Sequence, residues 1–375
     1  MARIATGTFW LATPSRFAAL GRARARIVLG ALVLLLLACM TALTVADPAA
    51  VGGAGPAAIQ PSDQTDLMLY EKIVAGVKGG GDYYTVATDA LRSGGYPLRP
   101  FLTVRMPSLA VVQGHLPDWA PTMLLYLLAA TVAMVWALRL GAALPRLLPR
   151  VAAALLLVGS MLAFLQAGLA AFHEIWAGLL IALSLGVRRP GRWTEAVAFG
   201  LAAMLIRETA ALYALVMLAM AWLEGERREA LGWLAALALF AAALAAHAWA
   251  VTGATGPLDP ASPGWSGLLG FGFFVKAVSF ATALQLLPIA GAALLVGLAL
   301  FGWAAWNDPA GLRMLVTLAA YAAAISIFAR SDTFYWGLMV APIFLVGLVF
   351  VPDGLRDLLR PRLDKPRITV TRVAR

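Results

Sequence analysis

The chain has 375 residues, 62% of them hydrophobic and 13% charged, with a formal net charge of +10 and a mean hydropathy of +0.83. Several apolar runs reach about 18–20 residues, the thickness of a bilayer core, which excludes an ordinary soluble domain and indicates a polytopic membrane protein. The basic residues gather in short loops and at both tails, as membrane topology requires, so the positive charge does not point to nucleic acid.

In chain order, residues 1–26 form a basic N-terminal tail. The first apolar helix is expected at 27–46, after Arg22, Arg24 and Arg26. Its length of about 20 residues exceeds a usual signal h-region, so it reads as a retained signal-anchor rather than a cleaved signal. Cys39, the only cysteine, lies inside it, which excludes an intramolecular disulfide and zinc-type spacing. A mixed polar segment, 47–119, precedes a second helix at 120–138 and a loop holding Arg139, Arg146 and Arg150.

Residues 151–187 are apolar except for His173-Glu174. Residues 193–223 are apolar except for Glu195 and Arg207-Glu208. Each run is long for one span and short for two. Two single spans would move Arg188, Arg189 and Arg192 outside, against the positive-inside rule, so both runs read as helical hairpins. Further helices are expected at 230–251, 284–303, 314–329 and 338–351. A Gly/Pro-rich external loop occupies 252–283, and 352–375 forms a second basic tail. The fold class is therefore all-α: a transmembrane bundle of about ten spans over 27–351, with both termini cytoplasmic. Hairpin tips of such short helices stop below the surface. Polar backbone at that depth must be buried in protein or line a wet cavity.

Within the external segment, Asp63, Asp66, Tyr70, Ile73, Val74 and Val77 recur at three- and four-residue steps and share one face of an amphipathic helix over 63–78. Gly79, Gly80 and Gly81 end it, and shorter helices are expected at 84–93 and 104–112. Interfacial helices with tyrosines suit a membrane surface. The pattern Asp66-Leu67-x-x-Tyr70 followed by Gly81-Asp82-x-Tyr84 resembles the first external loop of the GT-C superfamily of membrane glycosyltransferases. It is most similar to the bacterial branch that uses polyprenyl-phosphate-mannose. The resemblance implies an inverting transfer of sugar from a polyprenyl-phosphate donor to a glycan or glycolipid acceptor, on the outer face of a bacterial inner membrane. It puts the catalytic acid at Asp66, with Asp63 and Glu71 as rivals. Some members carry a paired-acid motif there. This chain has only the looser Asp63-x-x-Asp66, so no cofactor is expected and a divalent metal stays an open alternative.

Such a reaction needs a general base, cations on the leaving phosphate and an apolar groove for the lipid. Arg207 interrupts an apolar run and offers a planar fork for phosphate, with Glu208 orienting it. His173 and Glu174 form a second buried polar pair, suited to sugar hydroxyls or to holding the loop helix. Arg330 and Lys276 are further cations for phosphate, and Tyr70 and Tyr84 are rings for sugar contact. Each also has a structural reading: ion pair, snorkelling side chain or interfacial anchor. No phosphate-binding Walker sequence is present, which disfavours a nucleotide-sugar donor or an ATP-driven pump. Two alternatives remain at this stage, a transporter or flippase for a lipid-linked sugar and a non-catalytic scaffold of the cell envelope.

Overall fold

A computed structural model of the chain describes residues 8–45 and 61–363, with side chains described at 8–45 and 66–360. The described residues are helical, with no strand beyond isolated bridges. Helix α1 (Arg22–Met40) is followed by three short helices, α2 (Pro61–Lys78), α3 (Tyr83–Ser93) and α4 (Ser108–Gly114). Then come α5 (Ala120–Ala143), α6 (Leu147–Ser160), α7 (His173–Val187), α8 (Thr194–Ile206), α9 (Ala211–Leu223) and α10 (Arg227–Ala254). The chain continues through α11 (Phe271–Phe280), α12 (Ile289–Ala305), α13 (Pro309–Phe328) and α14 (Val351–Leu363).

Four helical stretches among the described residues are long and apolar enough to cross a bilayer: Arg22–Leu43, Ala120–Ala143, Arg227–Ala254 and Pro309–Phe328. A fifth arises if residues 331–360, bent by 65°, count as one span. Their lipid-side chains are apolar and exposed, as Leu34, Leu138 and Trp249 illustrate, so the chain is a membrane protein. The two interrupted runs are indeed paired helices, but α6, α7, α8 and α9 have only 14, 15, 13 and 13 residues. At 1.5 Å per residue each covers about 20–23 Å, short of a core about 30 Å thick. The extent of apolar sequence overstated the helices, because polar tips and irregular turns take up part of each run.

Residues 331–350 wind as tight 3-10 turns instead of the α-helix expected at 338–351. This segment is buried on nearly every side against α6, α7, α11 and α12. Its backbone runs so close to α12 that a Cβ on Gly302 would sit 1.8 Å from the Gly347 carbonyl oxygen, so only glycine fits there.

Polar groups collect at two opposite ends of the bundle. At the first end, Glu229 takes Arg188 at 2.6 Å and Arg313 at 3.2 Å, and Glu224 takes Arg313 at 2.6 Å. Arg188, Glu229 and Arg313 are all buried. Arg139 pairs with Asp308 at 2.8 Å. The loop arginines Arg139 and Arg188, together with Arg313, are thus buried and close this end through ion pairs.

The described parts of both basic tails meet there too. Asp353, fully buried on α14, accepts the backbone N–H groups of Phe9 and Trp10 at 2.7 Å and Leu11 at 2.9 Å. Asp357 accepts that of Ser15 at 2.9 Å. A carboxylate cradled by three N–H donors is a strong, charge-assisted anchor. Replacing Asp353 with Ala should speed amide hydrogen exchange at residues 9–11 by at least about tenfold, since each charged bond contributes about 1.5–3 kcal/mol. Exchange-mass spectrometry showing no change there would contradict the clasp.

Candidate functional site

The site lies at the other end. It begins with the α2–α3 hairpin. Gly81 N–H reaches the Gly76 carbonyl at 3.1 Å and Gly80 N–H the Val77 carbonyl at 2.9 Å, with Gly80 at φ +89°. This is a Schellman closure, and it explains the glycine run. Asp82 then caps α3 by accepting Thr85 N–H at 3.0 Å. The tight turn folds α3 back on α2, and the chain beyond α3 brings Tyr96 to Asp66. Tyr96 Oη donates to Asp66 Oδ1 at 2.8 Å.

The inner face of α2 matches the expected periodicity: Tyr70, Ile73 and Val77 are buried, and Asp66 and Val74 half-buried. Asp66 and Tyr70 line a cavity of about 380 Å³, together with Tyr83, Tyr96, Arg105, Gln113, His173, Trp265, Arg330, Asp332 and Tyr335. Burial raises the Asp66 carboxyl above its ordinary range; Glu174 and Asp332 push the same way, while the Tyr96 hydrogen bond and the Arg105 charge oppose it.

A second cavity, of about 370 Å³, adjoins the first and shares Leu102, Arg105 and Trp265 with it. Its walls are mostly apolar: Leu212 and Leu215 of α9, Ala324 and Phe328 of α13, and Trp336 and Met339. Leu215 and Phe328 are about half exposed on the apolar surface, so this chamber reaches the lipid-facing side of the bundle. Arg207, Glu208 and Thr209 supply its polar wall.

Arg207 sits where α8 breaks: its backbone is extended (φ −140°, ψ 114°) before a 3-10 turn leads into α9. Its Nε donates to Glu174 Oε1 at 2.5 Å and its Nη1 to Glu208 Oε2 at 2.8 Å. Glu174 is fully buried in the first turn of α7 and lines neither cavity. Two carboxylates thus offset the Arg207 charge. The opposite Oε of each glutamate, and both ring nitrogens of buried His173, are without a hydrogen-bond partner among the described residues. His173 stacks edge-on against Tyr70 at 4.8 Å. Unpartnered buried nitrogens on a cavity wall are ready to bind a polar ligand.

Other expected residues lie elsewhere. Glu71 is exposed and lines neither cavity, because a five-residue step from Asp66 turns it to the solvent side of α2. It therefore does not face either cavity as Asp66 does. Asp63 lies outside the residues with described side chains. Tyr84 is turned away: its Oη meets His247 Nδ1 at 3.3 Å, which pins α3 to α10, and Tyr83 faces the cavity instead. Lys276 is buried, bonds to the Val45 carbonyl at 2.6 Å and lines neither cavity. Arg330 does line the polar cavity, paired with Asp332 at 3.0 Å.

Sequence reasoning missed Arg105, Tyr96 and Trp265. Arg105 had a usable signal, since it stands as a lone cation in the apolar stretch FLTVRMP, as Arg207 does in its own. Trp265 had none. It reaches the site because the loop before α11 is tied to the α3 region: Arg92 grips Asp259 with two bonds, at 2.9 and 3.0 Å, and the Pro260 carbonyl accepts Leu98 N–H at 2.9 Å.

Among the described residues no group of three metal-ligating side chains is gathered. No family model, curated protein or solved structure matches the chain.

The Arg207–Glu174 pair gives a stability test. Replacing Glu174 with Ala leaves a buried guanidinium half-compensated and should cost about 3–5 kcal/mol, whereas Glu71→Gln should change stability by less than about 0.5 kcal/mol. Denaturant unfolding in detergent micelles checks both; equal effects would refute the assignment of burial and exposure on these helices.

Proposed function

We propose that the chain is a membrane glycosyltransferase, moving a sugar from a polyprenyl-phosphate donor to a hydroxyl of a cell-envelope glycan or glycolipid. The observation that carries this reading is the juxtaposition of two chambers. A polar cavity with a half-buried carboxylate and five aromatic side chains (Tyr70, Tyr83, Tyr96, Trp265 and Tyr335) shares a wall with an apolar chamber that reaches the lipid-facing surface. Sugars stack on aromatic faces and hydrogen-bond to convergent polar groups, while a prenyl chain needs apolar walls.

In this reading the prenyl chain lies between α9 and α13, the phosphate at the junction and the sugar in the polar cavity. Asp66 takes the proton from the acceptor hydroxyl as its oxygen attacks the anomeric carbon. The bond from that carbon to the phosphate oxygen breaks, polyprenyl phosphate leaves, and attack from the opposite face inverts the anomeric centre. A base works best when its pKa approaches the working pH, and the upward shift of Asp66 moves it that way. Tyr96 orients the carboxylate. His173 and Gln113 are placed to bond sugar hydroxyls. Arg207 ends the lipid chamber with a geometry fixed by its two glutamates.

The described spans and paired helices are compatible with about ten membrane crossings, the four short helices α6–α9 forming recessed hairpins. Both described tails lie at the end opposite the cavities, so a cytoplasmic placement of the tails puts the site on the outer face of a bacterial inner membrane. Buried ion pairs close the tail end. A one-sided site of this kind favours an enzyme over a flippase, which must open to both faces.

Two measurements test the reading. Asp66→Asn should lower transfer about 10²–10⁴-fold with the fold retained, the range a positioned base contributes; an unchanged rate of polyprenyl-phosphate release would remove Asp66 from that role. Tyr96→Phe deletes a hydrogen bond that favours the charged carboxylate, so the Asp66 pKa should rise further. Because the base works only when deprotonated, the acid limb of the pH–rate profile should move to higher pH. A shift to lower pH, or none, would contradict the pairing.

A further inference from the structure

Arg105 is the cation common to both chambers. Its main chain is held on two sides: its carbonyl accepts Tyr83 Oη at 2.7 Å, and the preceding Val104 carbonyl accepts His247 Nε2 at 3.0 Å. Its Nε donates to Tyr70 Oη at 3.1 Å. That orients the guanidinium plane, and Nη1 and Nη2 make no hydrogen bond among the described residues. It also forms no ion pair there. Of the carboxylates whose fields reach it, Glu174 and Glu208 are bonded to Arg207 and Asp66 accepts from Tyr96, and none pairs with it. Arg330 is a poorer candidate for the same task, because it is paired with Asp332 and lines only the polar cavity.

A pre-oriented guanidinium with its two terminal nitrogens unengaged is built for bidentate contact with a tetrahedral or planar oxyanion. Its place between an apolar chamber and a polar one selects an anion joined to a hydrocarbon chain. We propose that Arg105, rather than Arg207, is the anion-binding residue of the site, with Nη1 and Nη2 seating the phosphate of a prenyl-phosphate lipid whose chain fills the chamber between α9 and α13. This rests on the lipid chamber of the proposed function and names the residue that holds the donor headgroup. Arg207 is then a positioning residue, fixing the break between α8 and α9.

The test is equilibrium binding of farnesyl phosphate, farnesol and inorganic phosphate to the purified full chain in detergent, measured by calorimetry without any sugar donor. The wild-type protein should bind farnesyl phosphate saturably and inorganic phosphate more weakly. Arg105→Gln should weaken farnesyl phosphate by at least about tenfold, the loss expected for one charge-assisted phosphate contact, and leave farnesol affinity unchanged. Arg105→Lys, which keeps the charge and loses the fork, should fall between the two, and Arg146→Gln, at an exposed arginine that lines neither chamber, should bind as the wild type does. Farnesyl phosphate bound equally by Arg105→Gln would overturn the assignment while leaving the lipid chamber intact. Failure of the wild type to bind either farnesyl compound would instead overturn the chamber reading itself. Inorganic phosphate bound as tightly as farnesyl phosphate would mark a site for a soluble anion and refute the lipid source. If Arg105→Gln also loses farnesol, the lysine variant decides, and wild-type affinity for farnesyl phosphate in that variant would refute the bidentate seat.

Discussion

The architecture of the cavity end depends on one buried guanidinium. Arg207 lies in an apolar bundle, where an isolated charge is costly, and the cost is met by Glu174 from the start of α7 and Glu208 from its own turn. Those two bonds require α8 to stop at Arg207, α7 to begin at His173, and both breaks to lie side by side. Interrupted helices leave backbone and side-chain polar groups at a depth where only protein or a wet cavity can satisfy them. The polar cavity and the apolar chamber occupy the space those breaks create, with Asp66, Tyr70 and Arg105 brought over them by the α2–α4 layer.

The opposite end follows a different rule. Arg188, Glu224, Glu229 and Arg313 pair mutually, and Asp353 gathers the N–H groups of residues 9–11. These groups pair within the protein, and of the buried charged groups there only the Nε atoms of Arg313 and Arg139 are left without a hydrogen-bond partner among the described residues. At the cavity end, by contrast, His173, Glu174, Glu208 and Thr209 keep unpartnered polar atoms. One end is thus closed by a network of ion pairs, while the other carries open carboxylate and imidazole atoms beside two cavities, a difference that hydropathy alone does not reveal.

Much of this was legible in the sequence. Three- and four-residue spacing on 63–78 located the inner face of α2, and the glycine run located its end. Isolated charges in apolar surroundings marked Arg207 and Glu174, because so costly a placement needs a structural or chemical reason. The same argument applied to Arg105 would have found it, but the residue sat in a stretch read for its helix rather than for its charge. Tyr96 and Trp265 were beyond reach. Their places come from contacts across the chain, Tyr96 through the α2–α3 turn and Trp265 through the Arg92–Asp259 tie. Glu71 and Lys276 show the converse limit, since proximity in sequence to a site says little about which side of a helix, or which neighbour, a long side chain chooses. The basic composition of the tails gave no sign that Asp353 and Asp357 of α14 bind the N-terminal segment.

In the proposed function, a prenyl-linked phosphate meets a half-buried carboxylate at the junction of two chambers. An electron cryo-microscopy map of the protein in lipid nanodiscs, with polyprenyl phosphate added, tests it most directly. The predicted result is chain density between α9 and α13, ending in a phosphate at the wall formed by Leu102, Arg105 and Trp265. Lipid density confined to the outer surface of the bundle, with both chambers holding only water, would contradict it.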